Sequence, residues 1–281
     1  MERQLVKQGR NALTVTLPSK WIKENNLKEK ESVQIKEEKG NLIISNNKEK
    51  IKKIISVDIS GMSRGLAFHI ITGKYIEGYD KIILKHNNLA LSQEIGMGFL
   101  GMIIEEQTEN KLIMKDIIKI PEDNFIEIFK RSCQLLISQA RLLIKLYNKE
   151  ISHKEIKVAE RLLDNNLFYC LRYINKYEKI ENSYKYFLLS STIESIGDYI
   201  SEISKNINYD KQTKQTLEMI INIIEKYVTF LFTENINKMY LSLKEYKNKI
   251  PKKTFIDGLA LTIGESLYNY IGYLVENNKD K

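Results

Sequence analysis

The chain has 281 residues, 43% of them hydrophobic and 28% charged, with a net charge of +8. That length supports two or three domains and a sizeable buried core, and the charge permits an acidic partner such as nucleic acid. Two distant cysteines, Cys133 and Cys170, exclude a disulfide scaffold and fit core thiols in a reducing compartment. The first ten residues, MERQLVKQGR, hold no apolar signal core, and the apolar run IGMGFLGMII is too short to span a bilayer. A cytoplasmic protein without membrane insertion is expected.

Residues 1–48 read as a β-rich first domain. In KQGRNALTVTLPSKW (residues 7–21) a glycine corner precedes a strand in which Leu13, Val15 and Leu17 alternate with Thr14 and Thr16. Pro18 ends that strand, and Ser19 is placed to cap a short helix through Trp21, Ile22 and Leu27. Val33 and Ile35 alternate, a turn follows at Glu37 to Gly40, and Leu42 to Ile44 returns as a hairpin. So few residues in short strands cannot bury enough surface alone, so two copies are expected to share one core. Through Lys23 the charged side chains are Arg3, Lys7, Arg10, Lys20 and Lys23 against Glu2 alone. A dimer would gather these cations on one small surface, which suits a phosphate track. Gly9 lets the backbone turn beside a phosphate. Arg10 and Asn11 sit at the tip, where Arg can read guanine and Asn adenine, with Thr14 and Thr16 turned away from the core. The alternative is a solvated basic hairpin that only dimerises.

Residues 51–119 read as a small α/β module in the order β-α-β-α-β-β. Strands are expected at Ile54 to Ile59, Lys81 to Lys85, Ile103 to Glu105 and Lys111 to Met114. Helices are expected from Ser63 to Tyr75 and from Leu89 to Leu100. Seven glycines lie between Gly61 and Gly101. They could cradle a phosphate, but no GxGxxG or GxxxxGK[ST] spacing is present, and helix ends and tight packing are the competing reason for them.

Residues 121–281 read as an all-α bundle. Phe125, Phe129, Cys133, Leu136, Ala140, Leu143 and Tyr147 step by four and three, as do Leu189, Ile193, Ile196, Ile200, Ile203 and Ile207. Further helices are expected near 154–178, 211–235, 235–248 and 253–277, and Pro121 and Pro251 each precede a helical pattern. TIESIGDYI (192–200) and TIGESLYNYI (262–271) echo one another, suggesting a duplicated three-helix unit. Glu194 and Asp198 lie four apart, Glu160 and Asp164 repeat the spacing, and Glu265 occupies the corresponding helix of the echo. Oxygen ligands on adjacent helices suit a divalent cation, and solvated faces are the alternative. Di-metal bundles need Glu-x-x-His on two helices, and of His69, His86 and His153 only His153 follows a Glu at that spacing (Glu150); no nucleophile–base set is present and His153 reads as a surface residue, so no enzyme is expected.

Two resemblances follow from these motifs. The glycine corner, the Leu-Pro strand end, the short helix and the final hairpin resemble the swapped-hairpin DNA-binding domain of the AbrB, SpoVT and MazE type, over roughly residues 1–46. That resemblance implies an interlocked dimeric β-barrel that holds double-stranded DNA through Lys7, Arg10 and Asn11, supported by Arg3, Thr14, Thr16 and Lys20. Thr16 stands where some relatives carry arginine. IESIGDYISEI (193–203) resembles the acidic helix of PhoU phosphate-signalling regulators, which implies two three-helix repeats and iron or zinc held by Glu160, Asp164, Glu194, Asp198 and Glu265. The sequence departs from that pattern at Ser195 and Asn269. A swapped-hairpin head, an α/β module and a PhoU-like tail together resemble archaeal phosphate-uptake regulators. The expectation is a multidomain α+β, homodimeric transcription regulator. Its alternative is an adaptor that docks a phosphate-transporter ATPase or a sensor kinase without touching DNA.

Overall fold

The computed structural model describes residues 2–10, 12–38, 40–46, 52–117, 124–177, 182–233 and 235–271. The chain divides into two compact units, Met1–Ile51 and Lys52–Lys281. The architecture is mixed α+β: small strands, then a sheet module, then six helices among the described residues.

In the first unit, β1 (Val6–Gln8) and β2 (Ala12–Thr14) pair antiparallel around Gly9, whose φ of +74° places it where side-chain-bearing residues are strained. α1 (Ser19–Glu24) begins on Pro18, which holds the cap position, and Pro18 O accepts from Ile22 N at 3.0 Å. Ser19 therefore lies inside the first turn instead of capping it. β3 (Val33–Glu38) and β4 (Asn41–Asn46) form the expected hairpin, turned at Gly40 with φ +78°. One expectation needs correction. The second strand stops at Thr14 instead of running to Leu17, because residues 15–17 have no ladder partner among the described residues. Among the described residues of this single chain no closed barrel is found: the unit holds two separate two-stranded sheets, and the barrel expected from the sequence is one shared by two copies.

The second unit opens with a four-stranded sheet in the order β5-β6-β8-β7, made of β5 (Ile54–Asp58), β6 (Lys81–Lys85), β7 (Met102–Gln107) and β8 (Lys111–Asp116). β5 and β6 are parallel and joined through α2 (Arg64–Ile76); β6 leads through α3 (Leu89–Gly96) to the antiparallel pair. Ile82 and Leu84 stand opposite Met114 and Leu112 and are fully buried, while Lys81, Ile83 and Lys85 take the other face. A Cβ on Gly96 would lie 3.1 Å from Ile104 and 3.2 Å from Leu112, which puts α3 on the Leu84–Leu112 face.

Six helices follow: α4 (Asn124–Tyr147), α5 (His153–Lys176), α6 (Ser183–Lys205), α7 (Lys211–Thr233), α8 (Ile236–Lys249) and α9 (Phe255–Asn269). Both stripes read from the sequence are buried, from Phe125 to Leu143 and from Leu189 to Ile203. α4, α5 and α6 pack mutually, α7, α8 and α9 do the same, and α4·α7 and α6·α9 join the two groups. Capping boxes start α5 (Ser152 with Glu155) and α9 (Thr254 with Asp257). Pro251 falls between α8 and α9 as expected, while Pro121 lies outside the described residues.

The sheet and the helices belong to one unit because α5 reaches into the module. Arg172, 3% exposed, donates to Tyr75 O at 2.6 Å, to Tyr79 O at 2.8 Å and to Asp116 Oδ2 at 2.6 Å. Lys176 bridges Asp80 and Asp116, each at 2.5 Å. Gly78, at φ +84°, lies so close to Lys176 that a Cβ would approach its side chain to 3.2 Å. A buried guanidinium with carboxylate and carbonyl partners is costly to separate, so the sheet cannot swing freely on the helices.

Candidate functional site

In the first unit no described residue is buried. Leu5, Val6, Leu13, Ile35 and Leu42 are all more than 60% exposed. Half-exposed Trp21 is fixed through its carbonyl, which accepts from the Asn25 side chain at 2.8 Å, and Asn46 donates to Asn25 Oδ1 at 2.7 Å. These bonds tie the end of α1 to the last strand, so shape is held by polar contacts while apolar side chains stay in water. Burying each of these side chains in a second copy would gain roughly 1–2 kcal/mol.

The expected DNA-facing residues are placed as follows. Lys7 stands opposite Leu13, one residue from the corner, and Arg10 is in the turn; both are exposed. Asn11 lies outside the described residues. Arg3, Thr16 and Lys20 are exposed, and Lys20 lies 3.9 Å from Glu24. Thr14 stands opposite Val6, on the other face of the hairpin from Lys7, and its hydroxyl donates to Val6 O at 3.2 Å. The corner therefore gathers Lys7 and Arg10, and Thr14 braces the hairpin from behind. Gly9 has nothing within 4 Å of where a Cβ would stand, so a backbone phosphate can approach it closely.

In the helical part, α5 and α6 bring four of the five expected acids together. Burial, then the charge of Asp198, Glu160 and Glu194, pushes the Asp164 carboxyl up to about 8. Burial, then Asp198 and Glu160, pushes Glu194 up to about 7. Asp198 is raised by burial and by Glu160. Glu160 is engaged already: it accepts from the Ser201 hydroxyl and from Lys157 Nζ at 2.6 Å. Glu265 takes a different partner, Lys247, at 3.4 Å. Among the described residues no group of three or more His, Cys, Asp or Glu side chains is arranged to hold a metal ion. Lys157 pairs with Glu160 and Lys247 with Glu265, while burial and neighbouring carboxylates raise Asp164, Glu194 and Asp198. The divalent cation, iron or zinc, at these five residues is an expectation of the sequence alone.

Spacing could not reveal the cluster's other members. Gln139, fully buried on α4, donates to Gly197 O at 2.9 Å. A Cβ at Gly197 would meet Leu163 at 2.8 Å, so glycine there lets α6 close on α5. His153 is not a free surface residue: it is half-buried, with Nδ1 2.5 Å from the Ser204 hydroxyl.

Among the described residues no helix is long and apolar enough to cross a membrane. Residues 6–55 match the family model for the MazE antitoxin, described as antidote-toxin recognition MazE, bacterial antitoxin. No curated protein and no solved structure matches the chain significantly. The match covers the hairpin unit with its glycine corner and basic side chains, and on it the chain carries an N-terminal MazE/AbrB-type domain.

Proposed function

We propose that the chain is a DNA-binding transcription regulator, not an enzyme, that works as a homodimer through its first unit. The observation that carries this reading is a basic glycine corner on a unit with exposed apolar strands and no buried residue among those described. Dimerisation would bury Ile35 and Leu42 and bring two copies of the corner, with Lys7 and Arg10, to one duplex. Asn11, beside Arg10 in the sequence, is the remaining candidate for base contact. Phosphate contacts from lysine and arginine make such binding steeply salt-dependent.

The second unit acts as the sensing or partner-docking part. The PhoU-like resemblance, two mutually packed helix triplets joined α4 to α7 and α6 to α9, and a glycine packed tightly in both α6 and α9 support a duplicated unit. On that basis the regulated process is phosphate uptake, with a transporter ATPase or sensor kinase as partner. The test is binding of the full chain to its own promoter and to phosphate-transporter promoters over a salt series. Wild type is expected to bind with a steep salt slope, and Lys7→Ala with Arg10→Ala to flatten it. Binding that survives both substitutions unchanged would remove the corner from the interface. A chain that dimerises but ignores DNA would favour the adaptor reading.

A further inference from the structure

The loops at the carboxyl ends of β5 and β6 are not used by the DNA reading. The strands are parallel, with Asp58 opposite Lys85, so the loops that follow lie side by side. Ile59 N donates to Lys85 O at 2.9 Å, and Gly61 N to the Asn87 side chain at 3.3 Å. Both loops feed straight into helices. Ser63 caps α2 through Leu66 N, and Asn88 caps α3 through Leu91 N. Two helix N-termini, with their unsatisfied N–H groups and positive dipole ends, therefore open at one end of the sheet.

The chemistry around them is unusual in two ways. Gly61 and Gly65 have nothing within 4 Å of where a Cβ would stand. Gly65 has an ordinary helical backbone in the first turn of α2, where glycine costs about 1 kcal/mol against alanine, so neither packing nor φ explains it. The second observation is His86. It follows β6 directly, and strand alternation from Ile82 and Leu84 turns its ring into the layer of α2 and α3, at the end where both helices begin. It is 4% exposed, yet neither ring nitrogen has a hydrogen-bond partner. A buried polar group left unpaired costs about 1–3 kcal/mol, so a ligand that supplies the partner is favoured there.

Charges at this end pair off: Arg64 holds Glu94, on which Arg161 of α5 also acts, and Asp58 accepts from Ser60 N at 2.9 Å and feels the Lys85 charge. The case for an anion rests on the helix starts, the open glycines and the His86 ring.

We propose that the end of the sheet between the 59–65 and 86–90 loops binds a small tetrahedral oxyanion, either inorganic phosphate or the phosphate group of a phosphorylated metabolite. The first-turn N–H groups of α2 and α3 cradle its oxygens, the open side of Gly61 and Gly65 admits it, and the His86 ring nitrogen donates to it. This is an assignment for the second unit alone, independent of whether the first unit binds DNA.

The test uses the full chain without DNA, titrated calorimetrically with inorganic phosphate and separately with adenosine 5′-monophosphate. Gly65→Asp is the decisive variant. An acidic residue in the first turn of a helix favours folding, so thermal stability should be equal or higher, while its carboxylate opposes the anion. Binding at least tenfold weaker than wild type is expected. His86→Phe keeps the burial and removes the nitrogens, and should weaken binding several-fold. The His86 ring nitrogen signals in NMR should move on phosphate addition in wild type and stay still in Gly65→Asp. Heat with phosphate alone assigns the free ion, and tighter binding of the nucleotide assigns a phosphorylated metabolite. No binding of either probe at millimolar concentration, or equal binding by wild type and Gly65→Asp, overturns the proposal.

Discussion

The two units bury their apolar side chains in opposite ways. In the second unit the described core runs continuously from Ile59 to Ile271, linking sheet and helices through Arg172 and Lys176. In the first unit no described residue is buried, and Leu13 and Leu42 lie open. Alternating apolar residues thus mean different things in the two places. In β6 alternation marks a face already covered by helices; in β2 and β4 it marks a face left open in the single chain. If the proposed dimer covers that face, stability of the first unit depends on concentration while that of the second is a property of one chain.

Four experiments break or sharpen this contrast. The largest effect is expected for Arg172→Ala, which removes the buried donor to the carbonyls of Tyr75 and Tyr79 and leaves Lys176 as the remaining cation on Asp116. Chemical denaturation should show a loss of about 3–5 kcal/mol in the second unit, with dimerisation of the first unit unchanged. A parallel loss of dimer would mean that the units do not behave separately.

The acidic cluster gives a smaller, pH-dependent effect. Asp164 holds its proton in the folded chain up to about 8, against an ordinary value of 3.8. The folded state therefore binds more protons between roughly pH 4 and pH 8, and stability falls as pH rises through that window. Asp164→Asn should be more stable than wild type by about 2 kcal/mol at pH 8, the side chain keeping partial contact with water. The gain should vanish near pH 4. Melting curves across pH check this, and equal slopes for the two proteins would contradict it.

In the first unit, Lys7→Ala with Arg10→Ala should lower DNA affinity about tenfold or more at moderate salt, without moving the melting temperature of the second unit. The smallest effect is expected for Gly40→Ala. Its φ of +78° is strained for alanine, so about 1 kcal/mol should be lost from the first unit, seen as weaker dimerisation in sedimentation.

Much of this was legible in the residues. The heptad-like steps from Phe125 to Leu143 and from Leu189 to Ile203 mark buried helix faces because a helix repeats every 3.6 residues. The β-α-β-α-β-β order was readable because strand and helix periods differ. The i,i+4 acids of α5 and α6 do converge, since such residues share a helix face and the two helices are neighbours. Spacing is blind to Lys157 and Lys247, which pair with Glu160 and Glu265 in the folded chain. The described strands of one chain form two separate hairpins, because a barrel shared by two copies draws half of its strands from the second.

The sequence by itself determined the elements, their order and the basic corner, since local periodicity and glycine or proline placement depend only on neighbours along the chain. Tertiary structure alone decided what those elements meet. Arg172 finds Tyr75 and Asp116 across 97 and 56 positions, Gln139 finds Gly197 across 58, and the His86 ring is buried with both nitrogens unpaired at the end of β6. Such contacts follow from packing whole elements, and no short stretch of residues encodes them.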